Sequence, residues 1–302
     1  MRARHALAVL VSALAVLSAC SSSSEPSDPT GTKYADYVAL GDSYSAGPLI
    51  APAVKKAPVF CGRSQANYAG YLSTYLGVKS LKDATCSAAT TEDLYSSQSI
   101  RVGYPQNSGT RTPPQLDALS KKTDLVTIGL GGNDFDLFQS ILVSLAVEGD
   151  ITKQLADAKS VAPLLEKAID AIRKRAPHAK VVVVGYLRVA PADGVCKELP
   201  VSDSKAKQSD QIERQVNASL AKAAKTKRVT FIDSYAISKG HDICAGPEAW
   251  INGPNNAVFK AAAYHPFRAG MDAVARQIYL TLTGKVAPKS PGDVKLEKVP
   301  RD

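Results

Sequence analysis

The chain has 302 residues, 45% of them hydrophobic and 22% charged, with a formal net charge of +9. That is enough material for one sizeable hydrophobic core. The positive excess sits in scattered lysines, with no arginine-rich run and little aromatic interleaving, which argues against a nucleic-acid-binding tract.

In chain order, Arg2 and Arg4 precede an apolar run from Ala6 to Ala19 that ends in small residues. A spanning helix needs about 20 apolar residues. The run is shorter and reads as a secretory signal peptide over residues 1–19. Leu17-Ser18-Ala19-Cys20 resembles a bacterial lipobox, which implies cleavage before Cys20 and a lipid on its sulfur. The plainer alternative is ordinary cleavage that leaves Cys20 as a stray thiol. Ser21 to Thr32 is rich in Ser, Pro and Asp without apolar periodicity, so residues 20–33 read as a flexible tether. The expected location is outside the cytoplasm, anchored to the cell membrane, with some release, and export also speaks against nucleic acid. Once Arg2 and Arg4 are removed, a charge of +7 remains. It reads as a soluble surface, with weak attraction to anionic lipid headgroups as an option for a tethered protein.

If Cys20 carries lipid, four cysteines are left: Cys61, Cys86, Cys196 and Cys244. Export favours disulfides, and three pairings are possible. We favour Cys61 with Cys86 and Cys196 with Cys244, because each pair closes a local loop. No CxxC or Cys/His cluster has zinc spacing, so no metal is expected.

Five apolar stretches read as buried strands: Tyr37–Leu40, a weak Val78–Leu81, Leu125–Leu130, Lys180–Tyr186 and Arg228–Ile232. Runs such as Val181 to Val184 lack polar alternation, as suits a strand covered on both faces. Helical patterns lie between and after them, over Asn67–Leu76, Asp136–Val147, Thr152–Arg175, Ser204–Lys225 and Ala269–Leu282. Alternating strand and helix predicts an α/β fold, a three-layer α/β/α sandwich around a parallel five-stranded sheet. The domain is expected over residues 34–284, as a monomer. The Lys- and Pro-rich residues 285–302 read as a disordered tail.

Such folds bind ligands beyond the carboxyl ends of their strands, and residues with chemical potential stand there. Gly41-Asp42-Ser43 follows the first strand, and Gly131-Gly132-Asn133-Asp134 follows the third. Ser43 can simply cap a helix; as a nucleophile it needs a base, usually histidine. Of four histidines, His5 leaves with the leader and His178 lies opposite the strand ends. That leaves His241, beside Cys244, and His265, which Tyr264-His265-Pro266 delivers just before the last helix. The Gly131-Gly132 pair permits a tight turn, and the Asn133 amide is an uncharged donor suited to a developing oxyanion. No GxGxxG is present, so no cofactor is expected, and Ser43 does not sit in G-x-S-x-G. Asp42 and Asp134 read as turn fasteners. Asn217-Ala218-Ser219 fits a glycosylation acceptor but falls in a helical pattern and is discounted.

Together, "GDSYSAG", "GGND" and "YHPF", in this order, resemble the blocks of the SGNH/GDSL hydrolase family, over roughly Tyr37 to Leu282. The resemblance implies a flavodoxin-like sheet, Ser43 as nucleophile and His265 as base. The oxyanion hole would be formed by Ser43 and Ala88 backbone N–H groups and the Asn133 side chain. In "CSAATTEDL", Ala88 stands where relatives carry Gly. The acid found three residues before the histidine in many members is here Ala262. Secreted actinobacterial members without that acid orient the imidazole with a main-chain carbonyl. Ala262 or Ala263 would supply it here, with Asp242 as a remote alternative. The cysteine loops and "AWING" (249–253) resemble the same subgroup. The implied activity is an extracytoplasmic esterase or lipase acting on lipid or small acyl esters through a Ser-His dyad. The alternatives are a catalytically weak cell-surface binding protein on the same scaffold and a carbohydrate deacetylase. Pocket walls are expected from loops 44–66, 87–112 and 187–203.

Overall fold

The computed structural model describes Met1 and residues 33–98, 111–192 and 194–289. The leader, Cys20 and most of the tether lie outside the described residues.

Five strands, β1 (Asp36–Gly41), β2 (Ser80–Asp83), β3 (Leu125–Gly129), β4 (Lys180–Val184) and β5 (Thr230–Ile232), form one sheet. All its pairings are parallel, in the order β2-β1-β3-β4-β5. This is the flavodoxin-like order. β1 and β3 lie side by side at its centre, and every residue of β3 is buried. That burial explains why their sequences lack polar alternation; the buried Thr127 hydroxyl of β3 is paired with Tyr37 Oη at 2.7 Å. The weak second strand begins two residues later than its apolar run suggests. Its residues Ser80 and Lys82 are partly or fully exposed, so an edge strand does not carry the signal of a central one.

The helices are α1 (Ser43–Ala46), α2 (Tyr68–Leu76), α3 (Leu137–Ala146), α4 (Thr152–Arg175), α5 (Asp203–Lys227), α6 (Ser234–Ile237) and α7 (Arg268–Thr283). Asn67 caps α2 by accepting from Gly70 N at 2.8 Å, so it stands before the helix rather than in it. Helix α2 packs on α7, while α4 and α3 pack on α5. These two groups are the outer layers required when successive parallel strands are joined by right-handed crossovers. Beyond α7, Ala287 is buried and its carbonyl accepts from Arg276 Nη1 at 3.4 Å.

Two disulfides close the favoured loops, Cys61–Cys86 and Cys196–Cys244. The first ties the loop before α2 to the chain leaving β2, and Cys86 N also donates to Gly41 O at 3.0 Å. That places the segment 86–89 beside the end of β1. The other bridge ties the chain leaving β4 to the loop that precedes the last helix.

Candidate active site

β1 ends at Gly41, and the chain turns at once into the one-turn helix α1, whose first residue is Ser43. Asp42 caps that turn: its Oδ1 accepts from Tyr44 N at 2.9 Å. Its Oδ2 accepts from Tyr186 Oη at 2.5 Å, and the same Oη accepts from Gly132 N at 2.7 Å. One phenol from the end of β4 therefore locks the serine turn to the glycine turn. Burial pushes the Asp42 carboxyl up to about 7, against the pull of the Tyr186 hydrogen bond. Asp42 thus fastens a turn, as the sequence suggested.

The glycine turn needs its glycines for two different reasons. Gly131 has φ +121, a region closed to residues with a Cβ. A Cβ on Gly132 would lie 2.8 Å from the Tyr186 ring. After them, Asn133 donates from Nδ2 to Ala89 O at 3.0 Å, which aims its amide at the 86–89 segment. Asp134 reaches the same segment's continuation: it accepts from Thr91 Oγ1 at 2.6 Å and from Thr91 N at 3.0 Å. Burial raises the Asp134 carboxyl, and the Thr91 bonds oppose that rise.

Ala88 has φ 61 and is exposed. Among the described residues, neither Ala88 N nor Ser43 N donates to a protein acceptor. The left-handed conformation is the one that favours glycine, and it costs an alanine about 1 kcal/mol. The turn holds it because Ser87 N bonds Cys61 O at 3.0 Å on one side and Ala89 N bonds Cys86 O at 3.1 Å on the other.

His265 is delivered by a two-stranded pairing with "AWING". Phe267 N donates to Trp250 O, Asn252 N to His265 O, and Tyr264 N to Gly253 O, at 2.8, 2.9 and 3.0 Å. Tyr44 Oη donates to Tyr264 O at 2.6 Å, so the residue after the serine holds the residue before the histidine. The imidazole lies against Tyr44 and Phe138, with ring centroids 5.2 and 5.3 Å away. Its Nδ1 faces Ala263 O at 2.6 Å. Of the two candidate carbonyls, Ala263 orients the ring. Ala262 O is taken instead by Asn252 Nδ2 at 3.0 Å and His265 N at 3.2 Å. Asp242 is occupied in capping its own turn, accepting from Cys244 N at 2.9 Å. Burial against the aromatic rings pushes the His265 pKa down to about 4, only partly offset by the Ala263 bond. His241 is held elsewhere: its Nδ1 meets Glu248 O at 2.7 Å and its ring stacks on Trp250 at 3.9 Å.

Ser43 and Asn133 line one shared cavity. Its walls bear out the loop-based expectation in part: Tyr44 comes from loop 44–66 and Val189 from loop 187–203, but Phe138 and Ile141 come from α3, and Glu213 and Val216 from α5. Glu213 is buried, its two oxygens each 3.1 Å from Val189 N, and burial raises its carboxyl far above the usual range. This pocket residue went unread in the sequence. A signal existed: Glu213 sits three positions before Val216 and beside Ile212, on the apolar stripe of α5. Asn217, also buried, accepts from Tyr186 N at 2.8 Å and pins the end of β4, which disposes of it as a glycan acceptor.

A serine turn and an amide donor thus line one cavity at the carboxyl edge of a parallel sheet, and His265 lies against two of its wall residues, Tyr44 and Phe138. Residues 39–273 match the model of the GDSL-like Lipase/Acylhydrolase family. "Lipase 2" of Streptomyces coelicolor is 36% identical over 234 residues, 72% of this chain and 75% of that protein. A lipase of Streptomyces rimosus is 32% identical over 278 residues, covering 89% and 93% of the two chains. The crystal structure of an extracellular lipase from Streptomyces rimosus superposes with a TM-score of 0.65 at 28% identity, covering 82% of this chain and 99% of that one. The chain belongs to the GDSL-like lipase/acylhydrolase family and is a carboxylic ester hydrolase.

Proposed function

We propose that the protein is an extracytoplasmic esterase or lipase that uses a Ser43–His265 dyad oriented by the Ala263 carbonyl. The observation that carries this reading is the convergence of Ser43, Asn133 and the two undonated amides of Ser43 and Ala88 on one edge of the sheet. His265 is neutral above about pH 4 and can take the Ser43 proton as the hydroxyl oxygen attacks the ester carbonyl. The tetrahedral oxyanion is held by Ser43 N, Ala88 N and Asn133 Nδ2. His265 then protonates the leaving alcohol, and water repeats the cycle to free the acid and Ser43.

The apolar walls of this cavity, Phe138, Ile141, Val189 and Val216, suit an acyl chain. A lipid on Cys20 and a tether over 20–33 would hold the domain, residues 34–284, at the outer face of the membrane as a monomer. The S. rimosus structure is described as extracellular, which supports export. The deciding experiment compares wild type with Ser43→Ala on p-nitrophenyl esters from acetyl to palmitoyl. We expect turnover that peaks at short to medium chains and vanishes in the variant; equal slow turnover by both proteins would refute the assignment.

A further inference from the structure

We propose that the rim beside the catalytic cavity is a docking face for an anionic lipid surface, entered tip-first by the turn Val258-Phe259-Lys260. Residues 257–261 form a closed hairpin, with Ala257 N and Ala261 N each bonded to the other's carbonyl at 2.9 Å. Its tip side chains point outward: Val258 is 62% exposed and Phe259 75%. Ala51 N donates to Phe259 O at 3.2 Å and Ala262 N to Pro48 O at 3.0 Å, which lays the hairpin along residues 48–51. There Leu49 is 42% exposed. Phe259 and Leu49 both have left-handed backbones, with φ of 66 and 64. A turn that only had to close would carry Gly or Asn at such positions. Two bulky apolar residues are instead held out in water on strained backbone, a combination that costs stability and that packing within the described chain does not recover.

Charge identifies the occupant. No Asp or Glu occurs from Ser43 through Lys82, nor from Ala249 through Met271, the two stretches that meet at this rim. They carry seven cations, Lys55, Lys56, Arg63, Lys79, Lys82, Lys260 and Arg268, and all five lysines are exposed. Apolar side chains at a tip with lysines around it match the boundary between acyl chains and anionic headgroups. A folded protein partner would need roughly 800 Å² of complementary surface; a protruding tip offers far less, whereas a bilayer accepts it. The hairpin is joined to His265 through Ala262–Tyr264, so docking would turn the cavity mouth toward the lipid.

The test uses the full chain on vesicles of phosphatidylglycerol and phosphatidylcholine with brominated acyl chains. Phe259→Trp reports the tip. Leu280→Trp reports the far end of α7, about 18 Å along the helix from Arg268; wild type corrects for Trp250, the sole native tryptophan. We expect quenching at position 259 several-fold stronger than at 280, and its reduction by at least half when Lys55, Lys56 and Lys260 are replaced by Glu. Equal quenching at the two positions, none at 259, or indifference to the charge reversal would overturn the proposal. Circular dichroism and thermal melting check that each variant is folded. Because fluorescence needs no turnover, failure here is distinct from failure of the catalytic assignment.

Discussion

His241 and His265 make an instructive pair. Both lie in irregular chain between β5 and α7, both set Nδ1 against a backbone carbonyl at 2.6–2.7 Å, and both lean on aromatic rings. They differ in what stands on the other side. His241 stacks flat on Trp250, and its bond to Glu248 O closes its own loop. His265 is tied through Tyr264 and Tyr44 to the serine turn, a contact 220 residues distant in sequence. Orientation by a carbonyl therefore does not tell the two histidines apart. The long-range link to the serine turn does, and it is the reason His265 is the proposed base.

Substitutions can break that contrast. His265→Ala should lower kcat/KM by on the order of 10⁴ or more, in line with losses of other serine-hydrolase bases. His241→Ala should leave kcat/KM within about twofold while lowering stability by about 1 kcal/mol through the lost stacking, as read by steady-state kinetics and urea denaturation. Comparable kinetic losses in both variants would dissolve the distinction.

Asn133→Ala is expected to cost about 10²–10³ in kcat, the usual effect of removing an oxyanion donor. It should barely change KM, whereas a change confined to KM would make Asn133 a binding residue.

The pH profile sharpens the comparison further. Burial lowers the His265 pKa, so the neutral base persists down to about pH 4. The acid limb of kcat/KM should fall there rather than near 6.5, the ordinary value for histidine. Phe138→Ala, which admits water to the ring, should move the limb upward by several tenths of a unit or more. The same lowered pKa has a stability sign. Between pH 6.5 and 4 the unfolded chain takes up a proton that the folded site refuses, so the contribution of His265 to stability declines as pH falls through that window.

The smallest expected effect concerns Ala88. Ala88→Gly relieves a left-handed alanine while leaving its amide in place. It should raise stability by about 0.5 kcal/mol, the strain relief being offset by glycine's greater freedom when unfolded, with kcat nearly unchanged. A large gain in kcat would mean that the strained turn misaims the amide in the native protein.

Sequence alone fixed the order of strands and helices, because unbroken β-branched runs and amphipathic repeats report burial directly. It also singled out Ser43 and Asn133, since in a parallel sheet chemistry collects where strands end; preferring His265 to His241 took the family resemblance as well. The edge strand β2 was misplaced by two residues because half its side chains face water. Three features depended on tertiary structure. The choice of Ala263 over Ala262 was set by how Asn252 claims the neighbouring carbonyl. The left-handed turn at Ala88 is imposed by its neighbours against the alanine's own preference. Glu213 became a cavity wall through the rotation of α5 about its axis as that helix packs on the sheet. Periodicity tells a residue which face of its own element it occupies; what that face meets is decided by contacts between segments far apart in the chain.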